Sequence, residues 1–262
     1  MDERALIRAL EDERGFANEL ADAAAAIAVS YTADALHVRS KHDETPVTDA
    51  DAAIERALRD AVSKRFPDDG FLGEEGGASR SSERVWVVDP IDGTWNFIDG
   101  IQIWAVLIAL VVEGIPVLGL VDSPRLGERY EAVRSEGARL NGDPIEVSTV
   151  DRVEEALVVH SGVEEWLGGG YWEGFRRIAS RCRRTRGLSD FWGHMLVARG
   201  SADVLLEHEP CGLWDWAAVS VILEEAGGRI TTLDGEEPHG GCSLLSTNGA
   251  LHDEVVELLR ER

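Results

Sequence analysis

Cysteine is scarce in this chain. Cys182, Cys211 and Cys242 are the three thiols among 262 residues, an odd number with no C-x-x-C spacing. That argues against a disulfide framework and fits a reducing compartment. Long apolar runs are also missing. No stretch of 18 apolar residues occurs, so no membrane span is expected. Met1-Asp2-Glu3-Arg4 is not a basic segment leading into an apolar one, so no signal peptide is expected and a cytoplasmic location is. Positive charge is in deficit: 26 basic against 49 acidic side chains leave a net charge of −23. Such a surface repels nucleic acid and anionic membranes, so neither is expected as a partner. Lysine has almost vanished, with Lys41 and Lys64 the only two. Internal repeats, low-complexity tracts and an obvious linker are absent as well.

What remains is 44% hydrophobic, enough for a sizeable core in one large domain. Helical spacing runs over residues 3 to 30, with a break expected near Gly15. A polar connector spans 37 to 46. Thr48 opens a second helix to about Phe66, stopped by Pro67-Asp68-Asp69-Gly70. Phe71-Leu72-Gly73 is a strand running out into a loop. From Trp104 to Asp122 the pattern turns to β, with a hairpin at Glu113-Gly114. Further strands are expected over 130–133, 145–147, 156–160, 202–206 and 243–246. Helices are expected over 172–180, 191–199, from Trp214 to the glycine stop at Gly227-Gly228, and over 250–261. Mixed helices and antiparallel-looking strands point to an α+β layered fold.

The most telling segment is Trp86-Val-Val-Asp89-Pro90-Ile91-Asp92-Gly93-Thr94-Trp95-Asn96-Phe97. A short apolar strand runs into two acids set three apart, then a glycine and a threonine. The strand end fixes Asp89, Pro90 stiffens the turn, and Asp92 can face the same cation. A helix beginning after Asp92 leaves its first N–H groups free for a phosphate. Hard oxygen ligands beside an anion cradle suit Mg²⁺ held together with a substrate phosphate.

Three more acidic positions belong to the same argument. Asp51 lies three residues after Thr48, which also reads as a capping box. Glu74 follows an apolar strand in Gly73-Glu74-Glu75-Gly76. Asp215 begins an apolar helix, where an acid also complements the macrodipole. Each has a bland explanation alone. Together they are hard to read as separate caps, because clustered carboxylates repel one another unless cations sit between them.

The combination resembles the inositol monophosphatase superfamily of Mg²⁺-dependent phosphatases. The matching pieces are Val47-Thr48-x-x-Asp51, Gly73-Glu74-Glu75, the central Asp89–Phe97 motif, Trp214-Asp215, and Glu224-x-Ala226-Gly227-Gly228. The resemblance implies a layered αβαβα sandwich and a homodimer. It also implies one domain over 1–262, with a metal- and phosphate-binding half (1–150) and a substrate-pocket half (151–262) that supplies Asp215. Glu74, Asp89 and the Ile91 carbonyl would hold one Mg²⁺. Asp89, Asp92 and Asp215 would hold a second, and Asp51 with Glu74 a weaker third, with Mn²⁺ as a substitute. Thr94 and Glu74 would orient and deprotonate the attacking water, with Asp51 assisting. Asp92, Gly93 and Thr94 would surround the phosphate. Lys41 stands where the family often carries a lysine near the metal water.

Within the superfamily the second half is most similar to the histidinol-phosphate phosphatase branch. The stretches that carry this are Arg186 to Ala198, Ala202-Asp203-Val204, Trp214-Asp215, Pro238-His239-Gly240-Gly241 and Thr247-Asn248-Gly249, with Ile103-Trp104-Ala105. That branch places acids near the substrate's amine and imidazole, which would be Asp190 and Glu207 here. Residues 207–213 run one residue longer than usual, so Glu209 is the alternative to Glu207; His239 is a further candidate. The implied substrate is L-histidinol phosphate, a small phosphorylated metabolite. Inositol-1-phosphate or fructose-1,6-bisphosphate phosphatases share every metal ligand. A catalytically silent binding module would have lost a ligand or Thr94. Arg176, Arg177, Arg181, Arg183, Arg184 and Arg186 read as partners of surface acids, and Trp166, Trp172, Trp192, Trp214 and Trp216 as core and interface.

Overall fold

The computed structural model describes residues 10–31, 38–40, 46–79, 82–167 and 170–260. The expected start of the first helix, before residue 10, and Lys41 lie outside them. In chain order the first elements are α1 (Glu11–Ser30), β1 (Val38–Ser40), β2 (Pro46–Thr48), α2 (Asp49–Arg65), β3 (Gly70–Gly73), β4 (Gly77–Ala78), β5 (Arg84–Asp92) and α3 (Thr94–Asp99). Then come β6 (Ala105–Val112), β7 (Ile115–Ser123), β8 (Glu128–Val133), β9 (Ala138–Leu140), β10 (Asp143–Ile145), β11 (Leu157–His160), α4 (Val163–Trp166), α5 (Trp172–Arg181) and β12 (Arg184–Gly187). The last are α6 (Asp190–Ala198), β13 (Val204–Cys211), α7 (Leu213–Glu225), β14 (Arg229–Thr232), β15 (Cys242–Thr247) and α8 (His252–Arg260).

These stack as α-β-α-β-α. An eight-stranded sheet runs β10-β9-β8-β7-β6-β5-β3-β4, and a five-stranded sheet runs β12-β11-β13-β15-β14. Alternation along each strand sends neighbouring side chains to opposite layers. Trp86 and Val88 of β5 pack with Phe16 and Leu20 of α1 and Ile54 and Leu58 of α2. Val87, between them, faces the middle layer, where α6 and α7 meet both sheets through Met195, Ala218, Val159, Leu205 and Leu244. Val158 and Leu206 face outward onto Phe175, Ile178, Val255 and Leu259 of α5 and α8. Each sheet is therefore buried on both faces at its centre, which is why β6 reads as a continuous apolar run.

Several expectations need correction. Within the described residues α1 runs through Gly15 without a break. β3 pairs with β5, and β11 with β12 and β13, in parallel rather than antiparallel fashion. β13 does not stop at Leu206 but continues to Cys211, with a bulge between Glu207 and Cys211. Four steps along β13 there face two along β15, so the segment bulges. The arginine run forms α5 and the edge strand β12. Arg176 bonds Glu173 at 2.8 Å, and Arg181 bonds Glu154 and Glu254 at 2.8 and 2.7 Å, as a solvated charged face would. Trp166 is fully buried.

Candidate active site

β5 brings the first two acids together through a register shift. Asp89 pairs with Leu107 and Asp92 with Ala105, so one extra residue is inserted between them. In a regular strand, positions three apart face opposite ways. The bulge turns Asp92 to the side of Asp89, and Pro90, which has no N–H to give the ladder, sits inside it. Asp89 Oδ1 accepts the Ile91 N–H at 2.9 Å, and the Thr94 hydroxyl donates to the Ile91 carbonyl at 3.0 Å. Gly93 then turns into α3 with φ 80°, left-handed backbone that favours glycine. A Cβ there would also lie 3.1 Å from the Ile103 carbonyl. The first N–H groups of α3 have no intrahelical partner.

The other acids arrive from helix starts and a turn. Thr48 caps α2, and Asp51 completes the capping box: its Oδ2 accepts the Thr48 N–H at 2.8 Å and the Thr48 hydroxyl at 2.5 Å. Its Oδ1 is buried without a hydrogen-bond partner. Asp215 makes the returning half of the same device on α7, where Oδ2 accepts the Gly212 N–H at 2.5 Å and the glycine has no side chain to cap with. Capping and clustering are thus compatible, because a carboxylate has two oxygens. Asp89, Asp92 and Asp215 each offer an oxygen within 4.8 Å of the others. Glu74 sits in the turn after β3, where its N–H donates to the Val88 carbonyl at 3.3 Å.

The electrostatics match this crowding. Burial pushes Asp89 well above the usual carboxylate range, and the charges of Glu74, Asp92, Asp215 and Asp51 push it further. Asp92 is raised by burial and by Asp190 and Asp215. Asp51 is pushed up to about 6, chiefly by burial, with the Glu74 charge adding and the Thr48 bonds opposing. Five acids with no base among them, one carrying an orphaned buried oxygen, fit a divalent cation with hard oxygen ligands. The donor set contains neither sulfur nor imidazole.

Asp92 and Asp215, with Glu74, line a cleft of about 150 Å³. Asp190, Glu207 and Glu209 line the same cleft. Asp190 has φ 54°, a strained conformation outside glycine, and its N–H donates to Glu207 Oε2 at 3.1 Å. Glu207 is 4% exposed. Burial, then Asp190 and Glu165, pushes its carboxyl well up. Burial and Glu165 raise Asp190 to about 6, and burial with Glu165 and Asp190 raises the more open Glu209 to about 7. These acids form a second group that meets the first at Asp190 and Asp92. The two candidates Glu207 and Glu209 therefore both reach the cleft. His239 does not: it is exposed, its ring contacts the Gly240 carbonyl at 3.3 Å, and it is absent from the cleft lining.

Two residues escaped the sequence reading. Glu165 of α4 accepts the Gly162 N–H at 2.9 Å with Oε1, while Oε2 is buried without a partner. It lies 25 positions before Asp190 on a four-residue helix too short to show a periodic signal. His194 lines the cleft, with Nδ1 2.7 Å from the Ser246 hydroxyl. Burial lowers its pKa to about 3, so the ring is neutral. A lone histidine in an apolar helix gave no reason to single it out.

Residues 9–262 match the inositol monophosphatase family. A histidinol-phosphatase of Streptomyces coelicolor is 42% identical over 262 residues, covering 96% of this chain and 98% of that protein. A histidinol-phosphatase of Mycobacterium tuberculosis is 42% identical over 238 residues, covering 88% and 91%. Among solved structures, an IMPase of Thermotoga maritima superposes with a TM-score of 0.86 at 31% identity, covering 95% of this chain and 96% of that one.

Proposed function

The chain belongs to the inositol monophosphatase family and is a phosphatase, and from that premise we propose that it hydrolyses L-histidinol phosphate to L-histidinol and phosphate in a Mg²⁺-dependent reaction. The observation that carries the substrate assignment is the joint lining of one cleft by Asp92 and Asp215 and by Asp190, Glu207 and Glu209. A substrate with a phosphate at one end and an ammonium and imidazole at the other complements both groups. A neutral polyol would leave the Asp190–Glu207 group without a partner. Identity of 42% to two histidinol-phosphatases along most of the chain supports the same substrate.

Members of the family are in general metal-dependent, and the acidic cluster fits that requirement. Glu74, Asp89 and the Ile91 carbonyl would hold one cation; Asp89, Asp92 and Asp215 a second; Asp51 with Glu74 a third, weaker one. When bound, such ions lower the pKa of water and neutralise charge on the attacking and leaving oxygens. The chain's own residues supply position. The N–H groups of Gly93 and Thr94 hold the phosphate oxygens at the start of α3. Thr94, fixed on the Ile91 carbonyl, and Glu74 orient the water for in-line attack. Glu74 accepts its proton, with Asp51 close enough for the two charges to interact. Glu207, Asp190 and Glu209 take the cationic end. The two halves act as one catalytic unit, since Asp215 comes from the second.

The test is a side-by-side rate comparison on histidinol phosphate, inositol 1-phosphate and fructose 1,6-bisphosphate at equal Mg²⁺. The proposal requires the highest kcat/KM on histidinol phosphate. A preference for the polyol or sugar ester would transfer the assignment to the activity that the structural similarity to an IMPase suggests.

A further inference from the structure

We infer that Glu55 and Arg59, one turn apart on α2, are positioning residues that hold Glu74 against the other carboxylates of the cluster. Among those acids Glu74 alone lacks a regular element beneath it. Asp89 and Asp92 end a strand, and Asp51 and Asp215 sit in the first turns of helices, whereas Glu74 lies in the turn between β3 and β4. Mutual repulsion would push a carboxylate on a loose turn away from the cluster. Something must fix the turn, and the fixing groups come from α2.

Glu55 is 4% exposed, so its carboxylate needs partners inside the protein. Its Oε2 accepts the Glu75 N–H at 2.8 Å and the Gly76 N–H at 3.1 Å. Its Oε1 accepts the Gly76 N–H at 3.0 Å and the Arg59 guanidinium at 2.6 Å. Arg59 also donates to the Gly77 carbonyl at 3.0 Å, and its guanidinium lies 4.6 Å from the Phe71 ring centre. The pair therefore grips residues 75, 76 and 77, the three that follow Glu74, by both N–H and carbonyl groups. The Glu74 N–H, bonded to the Val88 carbonyl, fixes the other side. The sequence makes room for the grip on both flanks. A Cβ on Gly73 would lie 2.3 Å from the Glu55 carboxyl, and one on Gly76 would lie 2.5 Å from it. The charge of Arg59 offsets that of Glu55 so near a cluster of acids.

The inference rests on the phosphatase reading only for the rate used in its test. Glu55→Gln and Glu55→Ala are compared with the unchanged chain by far-ultraviolet circular dichroism, by Mg²⁺ dependence of phosphate release from p-nitrophenyl phosphate, and by the Mg²⁺-induced rise in unfolding midpoint. Loss of an outer-shell partner typically weakens metal affinity or activity by about 10–100-fold. We expect Glu55→Gln to fold, to need about tenfold more Mg²⁺ in both titrations, and to lose kcat while KM stays within about threefold. Glu55→Ala should show a larger shift in the same direction; if it does not fold, Glu55→Gln decides. A Glu55→Gln protein with an unchanged Mg²⁺ requirement and kcat, whatever its unfolding midpoint, overturns the inference. If the unchanged chain releases no phosphate, the phosphatase reading fails, and the Mg²⁺-induced midpoint shift alone decides between grip and no grip.

Discussion

The backbone N–H of Phe191 donates to Asp92 Oδ2 at 2.6 Å, joining the start of α6 to the end of β5 across 99 positions. One carboxylate thus belongs to the acidic cluster and also pins the wall that carries Asp190. An asparagine at position 92 keeps an oxygen acceptor for Phe191 and removes the charge. Asp92→Asn should fold, with a metal-free unfolding midpoint no lower than that of the unchanged chain because a buried repulsion is relieved. Its phosphate release should fall by more than about 100-fold, beyond the usual effect of an outer-shell change. A variant with the parental rate would remove Asp92 from the mechanism.

Glu207 tests the substrate end. It is buried and faces Asp190 and Glu209 in the cleft. Glu207→Gln should raise KM for histidinol phosphate about 10–100-fold, the equivalent of about 1.4–2.7 kcal/mol of lost charge pairing. The same change should alter KM for inositol 1-phosphate by less than about threefold, since that ester has no cation to lose. Parallel rises for both esters would mean that Glu207 shapes the cleft without reading charge.

The raised carboxyls set a pH dependence of stability. Asp51 goes from the ordinary 3.8 up to about 6, mainly through burial, and Asp190 from 3.8 up to about 6 for the same leading reason. Between those values the folded state holds protons that the unfolded state has released. Stability of the EDTA-treated protein should therefore fall as pH rises from about 4 to 6 and stay low above it. Mg²⁺ should restore more at pH 7.5 than at pH 5. At a hundredfold excess over Kd the gain is about 2.7 kcal/mol, or about 5–10 °C in unfolding midpoint. Thermal scans with and without Mg²⁺ at the two pH values check this, and Asp51→Asn should flatten the metal-free curve. Equal Mg²⁺ effects at both pH values would contradict it.

Much of this was legible from residues alone, and what was missed has physical reasons. The run from Val85 to Thr94 announces strand, acid pair and helix start because local chemistry decides each of them. Thr48 and Asp51 likewise specify their own cap. The register shift that turns Asp92 toward Asp89 depends on β6, which no local pattern describes. β12 was invisible because Arg184-Thr185-Arg186-Gly187 has no apolar alternation; as an edge strand it is largely exposed and is defined by its pairing with β11. Glu165 and Glu55 were missed for a shared reason: each acts through a tertiary neighbour distant in the chain, and an acid on a short or amphipathic helix carries no mark of that.

Packing between the first sheet and the middle helix gives a test independent of the site. Gly119 of β7 lies against α7, and a Cβ there would be 2.2 Å from the Ala218 carbonyl oxygen. Gly119→Ala should destabilise by about 1–3 kcal/mol through overpacking, a fall of several degrees in midpoint. The Mg²⁺ requirement of the folded fraction should not change. An unaltered midpoint would show that the two layers can part without cost.

The most direct measurement of the central claim is phosphate release from histidinol phosphate by EDTA-stripped protein, before and after Mg²⁺ is returned. Convergence of Asp89, Asp92 and Asp215 on shared cations predicts no release before and full release after, with Asp215→Asn inactive in both conditions. Equal release with and without the metal, or an active Asp215→Asn protein, would contradict the account.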